Sequence, residues 1–205
     1  MGAASVRRIG LVAALALLAG CDGDVAPSAM PLLDGAVTAR GPDGYCVDQR
    51  ASRPGSGFAV MAGCALISPS TVMPQTEGLV TMQVGPAGSA TVAGAEASLA
   101  QLLRGAAGAQ LLSAAGRADT VQVEQVEAAT GVVIVRFRDR APAVVAGLEQ
   151  AEWRAFLDVN GHLTTIGVRG LARAPMSPDR GLRLLEQAIR AVRSANPAPI
   201  ASAAG

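Results

Sequence analysis

The sequence predicts an α+β fold, in which an antiparallel sheet of hairpins is covered by an amphipathic C-terminal helix and a mid-chain helix. Two hairpin patterns indicate the sheet, one over residues 120–140 and one over residues 153–169. An amphipathic pattern that begins after Ser177 indicates the closing helix, which needs a sheet against which to bury its apolar side. We therefore predict one domain over residues 34–195.

The chain begins with the pattern of an export signal. Arg7 and Arg8 are the only charges before an apolar run, Ile9–Ala19, which is too short to span a bilayer. The run ends in Leu18–Cys21, which resembles the lipobox of bacterial lipoproteins, where the cysteine carries lipid. We predict a signal peptide over 1–20 and a lipid anchor on Cys21 that holds the chain to a bacterial membrane, facing the periplasm. The alternative is an ordinary signal peptide with a chance cysteine.

Two flanking segments are predicted to lie outside the domain. Residues 21–33 have the composition of a lipidated tether, with Pro27 and Pro31, and residues 196–205 that of a disordered tail. Asp22 resembles an inner-membrane retention signal of enterobacterial lipoproteins, but the choice between inner and outer membrane stays open.

Composition argues against several classes of function. Without residues 1–20, the remaining 185 residues hold 15 arginines and 16 acids, so we expect no nucleic-acid partner. Lysine is absent from the chain, which excludes a P-loop lysine and Schiff-base chemistry. His162 is the single histidine, so a multi-histidine metal site within one chain is excluded. We expect no cofactor and no metal ion; enzymatic activity stays open, and the composition leans against it.

Cys46 and Cys64 are the only cysteines after Cys21, and in an exported body we predict that they form a disulfide. They lie in two strand-like stretches, 44–48 and 58–67, joined by a turn-like segment, 49–57. Two buried free cysteines are the alternative, and a redox-active pair is disfavoured because the Cys-x-x-Cys spacing is missing.

The mid-chain helix is predicted from about Glu96 to Arg104. Leu99, Leu102 and Leu103 would form its apolar side and cover either face of the sheet. Gly105 and Gly108 are predicted to break it.

The first hairpin joins residues 120–127 to 132–140 through Ala128–Gly131. Alternation on the second strand would turn three apolar residues to the core: Val133, Val135 and Phe137. It turns three arginines the other way: Arg136, Arg138 and Arg140. This arginine face is a candidate anion-binding surface; the alternative is that it pairs with Glu124 and Glu127 on the neighbouring strand.

The second hairpin turns at Asn160-Gly161, the strongest short hairpin signal. The pairs expected on its core face are Val159 with His162, Leu157 with Thr164, Ala155 with Ile166 and Trp153 with Val168. On the other face, Glu152 would pair with Arg169 as an exposed charge pair. A calcium loop starting at Asp158 is rejected because its twelfth position is Arg169 rather than glutamate.

The closing helix is predicted from its capping residues. Ser177 is an N-cap, Pro178 suits the first helical position, and Asp179 places an acid in the first turn. The expected apolar stripe is Leu182, Leu185, Ile189 and Val192. Glu186 and Arg190 form an i,i+4 pair on the polar side.

The strand, turn, strand, proline-containing loop and helix of residues 153–193 resemble the end of the PsbP-like fold shared by photosystem II extrinsic subunits, Mog-type import factors and small bacterial lipoproteins. The mature chain is also similar to uncharacterised small lipoproteins of Rhodobacter-like alphaproteobacteria. The residues that carry this similarity are 44–48, 57–64, 152–154, 158–161 and 175–178. The resemblance implies a partner-binding fold, and it assigns no catalytic residue.

Three functions are consistent with these patterns. The first is a non-enzymatic module that binds a protein or another component of the cell envelope. The second is a carrier of a small ligand or lipid, with a cavity between sheet and helix. The third is a hydrolase that uses His162 with a serine or an acid such as Asp158.

Overall fold

The computed structural model describes residues 25–68, 73–142 and 145–197. The described residues form nine strands: β1 (Ala29–Leu32), β2 (Val37–Arg40), β3 (Tyr45–Val47), β4 (Phe58–Gly63), β5 (Leu79–Val84), β6 (Val121–Ala129), β7 (Val132–Asp139), β8 (Leu148–Val159) and β9 (His162–Leu171). They also form four α-helices: α1 (Cys64–Ile67), α2 (Glu96–Arg104), α3 (Ala106–Leu112) and α4 (Pro178–Ala195). Two short 3₁₀ turns, Pro54–Ser56 and Ala118–Thr120, complete the regular structure of these residues.

Seven of these strands form one sheet in the order β3-β4-β5-β9-β8-β7-β6, and every neighbouring pair is antiparallel. The first two strands pair separately as a small hairpin. The prediction of an α+β fold with an antiparallel sheet is therefore confirmed.

The register of the second hairpin also agrees with the prediction. Val159 lies opposite His162, and Trp153 lies opposite Val168. The turn residues Asn160 and Gly161 both have positive φ, at 49° and 80°, as a two-residue hairpin turn requires. Glu152 does pair with Arg169, but the prediction that this pair is exposed is wrong, because Glu152 is 4% exposed.

The two hairpins bury their apolar residues on opposite faces of the sheet. Directly opposed residues of neighbouring strands share a face. Trp153 is opposed to Arg136 on one side and to Val168 on the other, whereas Glu152 is opposed to Phe137 and Arg169. The apolar side of β7 thus lies on the face that carries Glu152, and the apolar side of β8 lies on the other face. We call these the α2 face and the α4 face, after the helices that pack on them.

The closing helix α4 begins as predicted at Pro178, where the Ser177 hydroxyl accepts a hydrogen bond from the Arg180 N–H. The indole Nε1 of Trp153 donates to the Pro178 carbonyl oxygen at 3.1 Å. Gly181 permits this contact, because a Cβ there would lie 2.6 Å from the indole ring. The residues that α4 buries are Gly181, Leu184, Leu185, Ala188, Ile189 and Val192, so Leu184 is central while Leu182 lies at the margin.

The mid-chain helix α2 has the predicted bounds, Glu96–Arg104, and Gly105 is its C-cap as predicted. The prediction that Gly108 breaks the helical region is wrong, since Gly108 lies inside a second helix, α3. A side chain at position 108 would collide with the backbone of Leu102 and Leu103. This glycine therefore permits close packing of α3 on the end of α2.

The boundaries of the predicted tether and tail need correction. Met30 and Leu32 of β1 belong to the core of the α4 face, so the tether does not extend to residue 33. Asn196, predicted as the first residue of a disordered tail, bonds to both the N–H and the carbonyl oxygen of Thr38 at 2.8 Å. The predicted signal peptide, Cys21 and residues 198–205 lie outside the described residues.

Cys46 and Cys64 form the predicted disulfide, with Cα atoms 4.8 Å apart. Cys46 lies in β3, but Cys64 opens the short helix α1, so the predicted strand over 58–67 ends at Gly63. The bridge links the edge strand β3 to helix α1, which directly follows the neighbouring strand β4.

Candidate functional site

An open cleft of about 650 Å³ lies between α4 and two segments, residues 40–45 and 73–76. We call it the α4 cleft. Its lining residues come from three distant parts of the chain: Arg40, Gly41, Pro42, Asp43, Gly44, Tyr45, Met73, Pro74, Gln75, Thr76, Leu184, Gln187, Arg190, Ala191 and Ser194. Its volume lies within the range of about 300–1,000 Å³ that small-molecule sites occupy.

Tyr45 joins two walls of the cleft. Its hydroxyl donates to the Thr76 carbonyl oxygen at 2.7 Å, and its ring is 2% exposed. Burial raises the pKa of Tyr45 well above its usual range, and the nearby Glu77 carboxylate raises it further. The hydroxyl therefore stays protonated and serves as a fixed donor between the two segments.

Glycines let the same two segments approach closely. Gly44 has a φ of +82°, and a Cβ at this position would lie 2.9 Å from Pro74 Cα. A Cβ at Gly63 would lie 2.9 Å from Pro74 Cδ. The Cys64 N–H donates to the Gly44 carbonyl oxygen at 2.9 Å, directly beside the disulfide. A hydrogen bond and close packing therefore hold the outer walls of the cleft together, and the disulfide lies directly beside the 40–45 wall.

The rim of the cleft carries exposed groups of mixed chemistry. Arg40 and Arg190 supply positive charge, and Asp43 supplies negative charge. Met73 is 50% exposed, while Leu184 is buried at the base. Such a surface can contact both charged and apolar groups of a partner.

His162 is buried, and its Nδ1 lies 2.8 Å from the Gly85 carbonyl oxygen. Asp158 lies on the opposite face of the hairpin and accepts three backbone N–H groups, from Thr91, Val92 and Ala93, at 2.8–2.9 Å. The structure therefore does not bring these two residues together. Asp158 fixes the segment before α2 instead.

The arginine face predicted on β7 does not converge on one point. Arg136 and Arg138 both pair with Glu124 on β6, and the Arg136 guanidinium lies 5.9 Å from the Trp153 ring centroid. Arg140 donates to the Asp119 carbonyl oxygen at 3.3 Å.

Glu127, the other predicted partner, accepts instead from Gln125 at 2.6 Å. Arg136 and Arg138 thus follow the alternative to an anion-binding surface, because both pair with Glu124 on the neighbouring strand.

The sequence analysis allowed for a cavity between sheet and helix, but it identified none of the residues that line the α4 cleft. Its three walls are separated by tens to more than a hundred residues, and no spacing pattern links them. The usable signals were Gly41 and Gly44, two glycines within four residues at the start of a predicted strand, which indicate a close backbone approach.

Over the described ranges, no group of three or more histidine, cysteine or acidic side chains is arranged to hold a metal ion. In the same part of the chain, no helix has both the length and the apolar character needed to cross a membrane.

Comparison with known proteins found similarity at the level of distant solved structures. No family model matches this chain, and no curated protein matches it. Among solved structures, a mutant of the protein Mog1 is similar at 10% sequence identity and a TM-score of 0.44. The similarity covers 82% of this chain and 93% of that chain.

Proposed function

We propose that this chain is a periplasmic lipoprotein, anchored through Cys21, that binds a component of the cell envelope in the α4 cleft without catalysing a reaction. The observation that carries the proposal is the cleft itself, which is open, about 650 Å³ in volume and bounded by constrained walls. A preorganised surface loses little conformational entropy on binding.

The position of the tether favours a partner close to the membrane. The Pro27 carbonyl oxygen accepts from the Val47 N–H at 2.7 Å, and that of Ser28 accepts from the Gly41 N–H at 3.2 Å. Five residues, 22–26, then separate a lipidated Cys21 from the folded body. Fully extended, such a segment spans only about 20 Å. The tether would leave the body beside the 40–45 wall of the cleft.

The anchor is tested by the intact mass of protein extracted from host membranes, before and after reduction. We expect a chain that begins at an acylated Cys21 and gains about two hydrogens on reduction of the Cys46–Cys64 bridge. An unlipidated mass would refute the anchor and leave the cleft untouched.

The binding site is tested by photocrosslinking in intact host cells. A photoreactive residue replaces Gln187, an exposed residue of the cleft, and in a matched control replaces Gln101, an exposed glutamine of α2. We expect a discrete adduct from position 187 that weakens with Arg40→Ala and Arg190→Ala. Equal adducts from both positions, or none from 187, would contradict binding in the cleft.

A small-ligand carrier is the second candidate, because the cleft volume also suits one small molecule. Native mass spectrometry of protein purified gently from its host decides between the two. A retained ligand lost in Gln187→Trp would favour the carrier, and protein that stays empty in several mild buffers would count against it.

A further inference from the structure

We propose that a second cavity, on the α2 face of the sheet, binds a small aliphatic carboxylate through Arg154 and Arg169. The cavity measures about 190 Å³, and we call it the arginine cavity. It is lined by Leu79, Thr81, Ala114, Val145, Leu148, Glu152, Arg154, Gly167 and Arg169. It lies on the opposite face of the sheet from the α4 face, so this proposal is independent of the proposed function.

The charges in the cavity do not balance. One carboxylate oxygen of Glu152 lies 2.8 Å from Arg154 Nη2, and the other lies 2.5 Å from Arg169 Nη2. Among the described lining residues Glu152 is the only acid, so two guanidinium groups face one carboxylate. The arginine side chains are only 23% and 20% exposed, which limits their screening by solvent. An excess positive charge in such a place favours an anion.

Both guanidinium groups retain hydrogen-bond donors. Arginine has five N–H donors, and the bonds to Glu152 use the side of each group that carries Nε and Nη2. The Arg154 guanidinium also lies 5.0 Å from the Phe137 ring centroid, which fixes its position. A carboxylate matches the remaining donors of such a group in shape and charge.

A glycine keeps the floor of the cavity open. Gly167 lies opposite Arg154 on β8 and opposite Thr81 on β5. A Cβ at this position would lie 2.8 Å from Thr81 Oγ1 and 2.9 Å from Glu152 Oε1. Any side chain would therefore occupy the space beside the charged cluster.

The remaining walls define the other end of the ligand. Leu79, Ala114, Val145 and Leu148 are apolar, so they suit an aliphatic stem. The volume falls below the range of about 300–1,000 Å³ that drug-sized ligands need. The matching ligand therefore has one carboxylate and a stem of a few carbons.

The test uses hexanoate as the probe and two control ligands. Acetate keeps the charge but lacks the aliphatic stem, and 1-hexanol keeps the stem but lacks the charge. Isothermal titration calorimetry on the whole mature chain should show saturable binding of hexanoate, and binding of the other two weaker by about tenfold or more. If hexanoate fails to bind, or binds no better than 1-hexanol, the proposal is overturned.

Matched variants locate the binding. Arg154→Gln leaves Glu152 paired with Arg169 and should weaken hexanoate binding about tenfold or more. Arg169→Gln leaves Glu152 paired with Arg154 and should weaken hexanoate binding to a similar extent. Arg183→Gln removes an exposed charge on α4 and should leave the affinity unchanged. Unchanged affinity in a folded Arg154 or Arg169 variant would contradict the site, and if both variants unfold, the comparison of the three ligands on the wild-type chain still decides.

Discussion

The two faces of the sheet are buried by different means. On the α4 face, β8 and β9 present Trp153, Ala155, Leu157, Ile166 and Val168 to an 18-residue helix in one continuous core. On the α2 face, Val133, Val135 and Phe137 pack against Leu103 and Leu112 in a smaller core. Beside this smaller core, the same face holds the charged cluster of Glu152, Arg154 and Arg169.

The placement of the helices on the sheet accounts for much of this difference. Helices α2 and α3 have 9 and 7 residues and pack mainly on β6 and β7. The adjoining part of the α2 face, on β8, β9 and β5, carries two half-buried arginines and the buried Glu152 where the α4 face carries apolar side chains. The comparison shows that one sheet can pair a stabilising core on one face with a charged cavity on the other.

The largest expected effect is on the α4 face. Leu185 is fully buried, so Leu185→Ala removes apolar contacts and leaves a cavity, at a cost of about 4 kcal/mol in the free energy of unfolding. Urea denaturation measures this. Leu102→Ala, at a 42% exposed position on α2, should cost well under 1 kcal/mol by the same principle. Equal losses of unfolding free energy from Leu185→Ala and Leu102→Ala would contradict the contrast between the buried side of α4 and the exposed position on α2.

Removal of the central acid of the α2 face should come next. Glu152→Gln leaves two partly buried guanidinium groups without a counter-charge, and we expect a loss of about 3 kcal/mol. Asp119→Asn breaks an exposed pair with Arg117 and should leave the urea midpoint unchanged. A Glu152 variant as stable as the wild type would show that the cluster contributes nothing to folding.

Acid sensitivity should also arise on the α2 face. Burial raises the pKa of Asp139, but hydrogen bonds from Ala141, Thr120, Ala114 and Ser113 outweigh it and hold the pKa below its usual range. A lowered folded-state pKa gives stability that is complete above the unfolded pKa of about 3.9 and is lost as pH falls through the folded value.

Asp139→Asn should therefore cost about 1.5 kcal/mol at neutral pH, and the gap to the wild type should close below about pH 4. Thermal unfolding across this pH range measures the gap. If the difference in stability between the wild type and Asp139→Asn stayed constant down to pH 2, its cause would be altered packing rather than the charge of Asp139.

The smallest effect is expected for the arginine face of β7. The Arg138 side chain is 44% exposed, and Glu124 keeps Arg136 as a partner when Arg138 is replaced. Arg138→Gln should change the free energy of unfolding by less than about 0.5 kcal/mol. A loss comparable to that of Glu152→Gln would mean that the two charged clusters are equivalent.

Local patterns predicted the elements that local physics controls. Asn160-Gly161 set the hairpin register, because those residues readily adopt positive φ and a two-residue turn fixes every later pair. Ser177 and Pro178 predicted the start of α4, and the pair of available cysteines predicted the disulfide.

The tertiary structure decided which face each strand buries. Alternation shows that Val133 and Trp153 are buried, but only the pairing of β7 with β8 places them on opposite faces. The same reason explains Glu152. The pattern of the β8–β9 hairpin alone predicts that this residue is exposed, but residues from outside the hairpin surround it in the folded chain and bury it. The α4 cleft and the arginine cavity also depend on contacts between distant segments. A period of two residues identifies the sides of a strand, whereas the neighbours that cover each side are set by the whole chain.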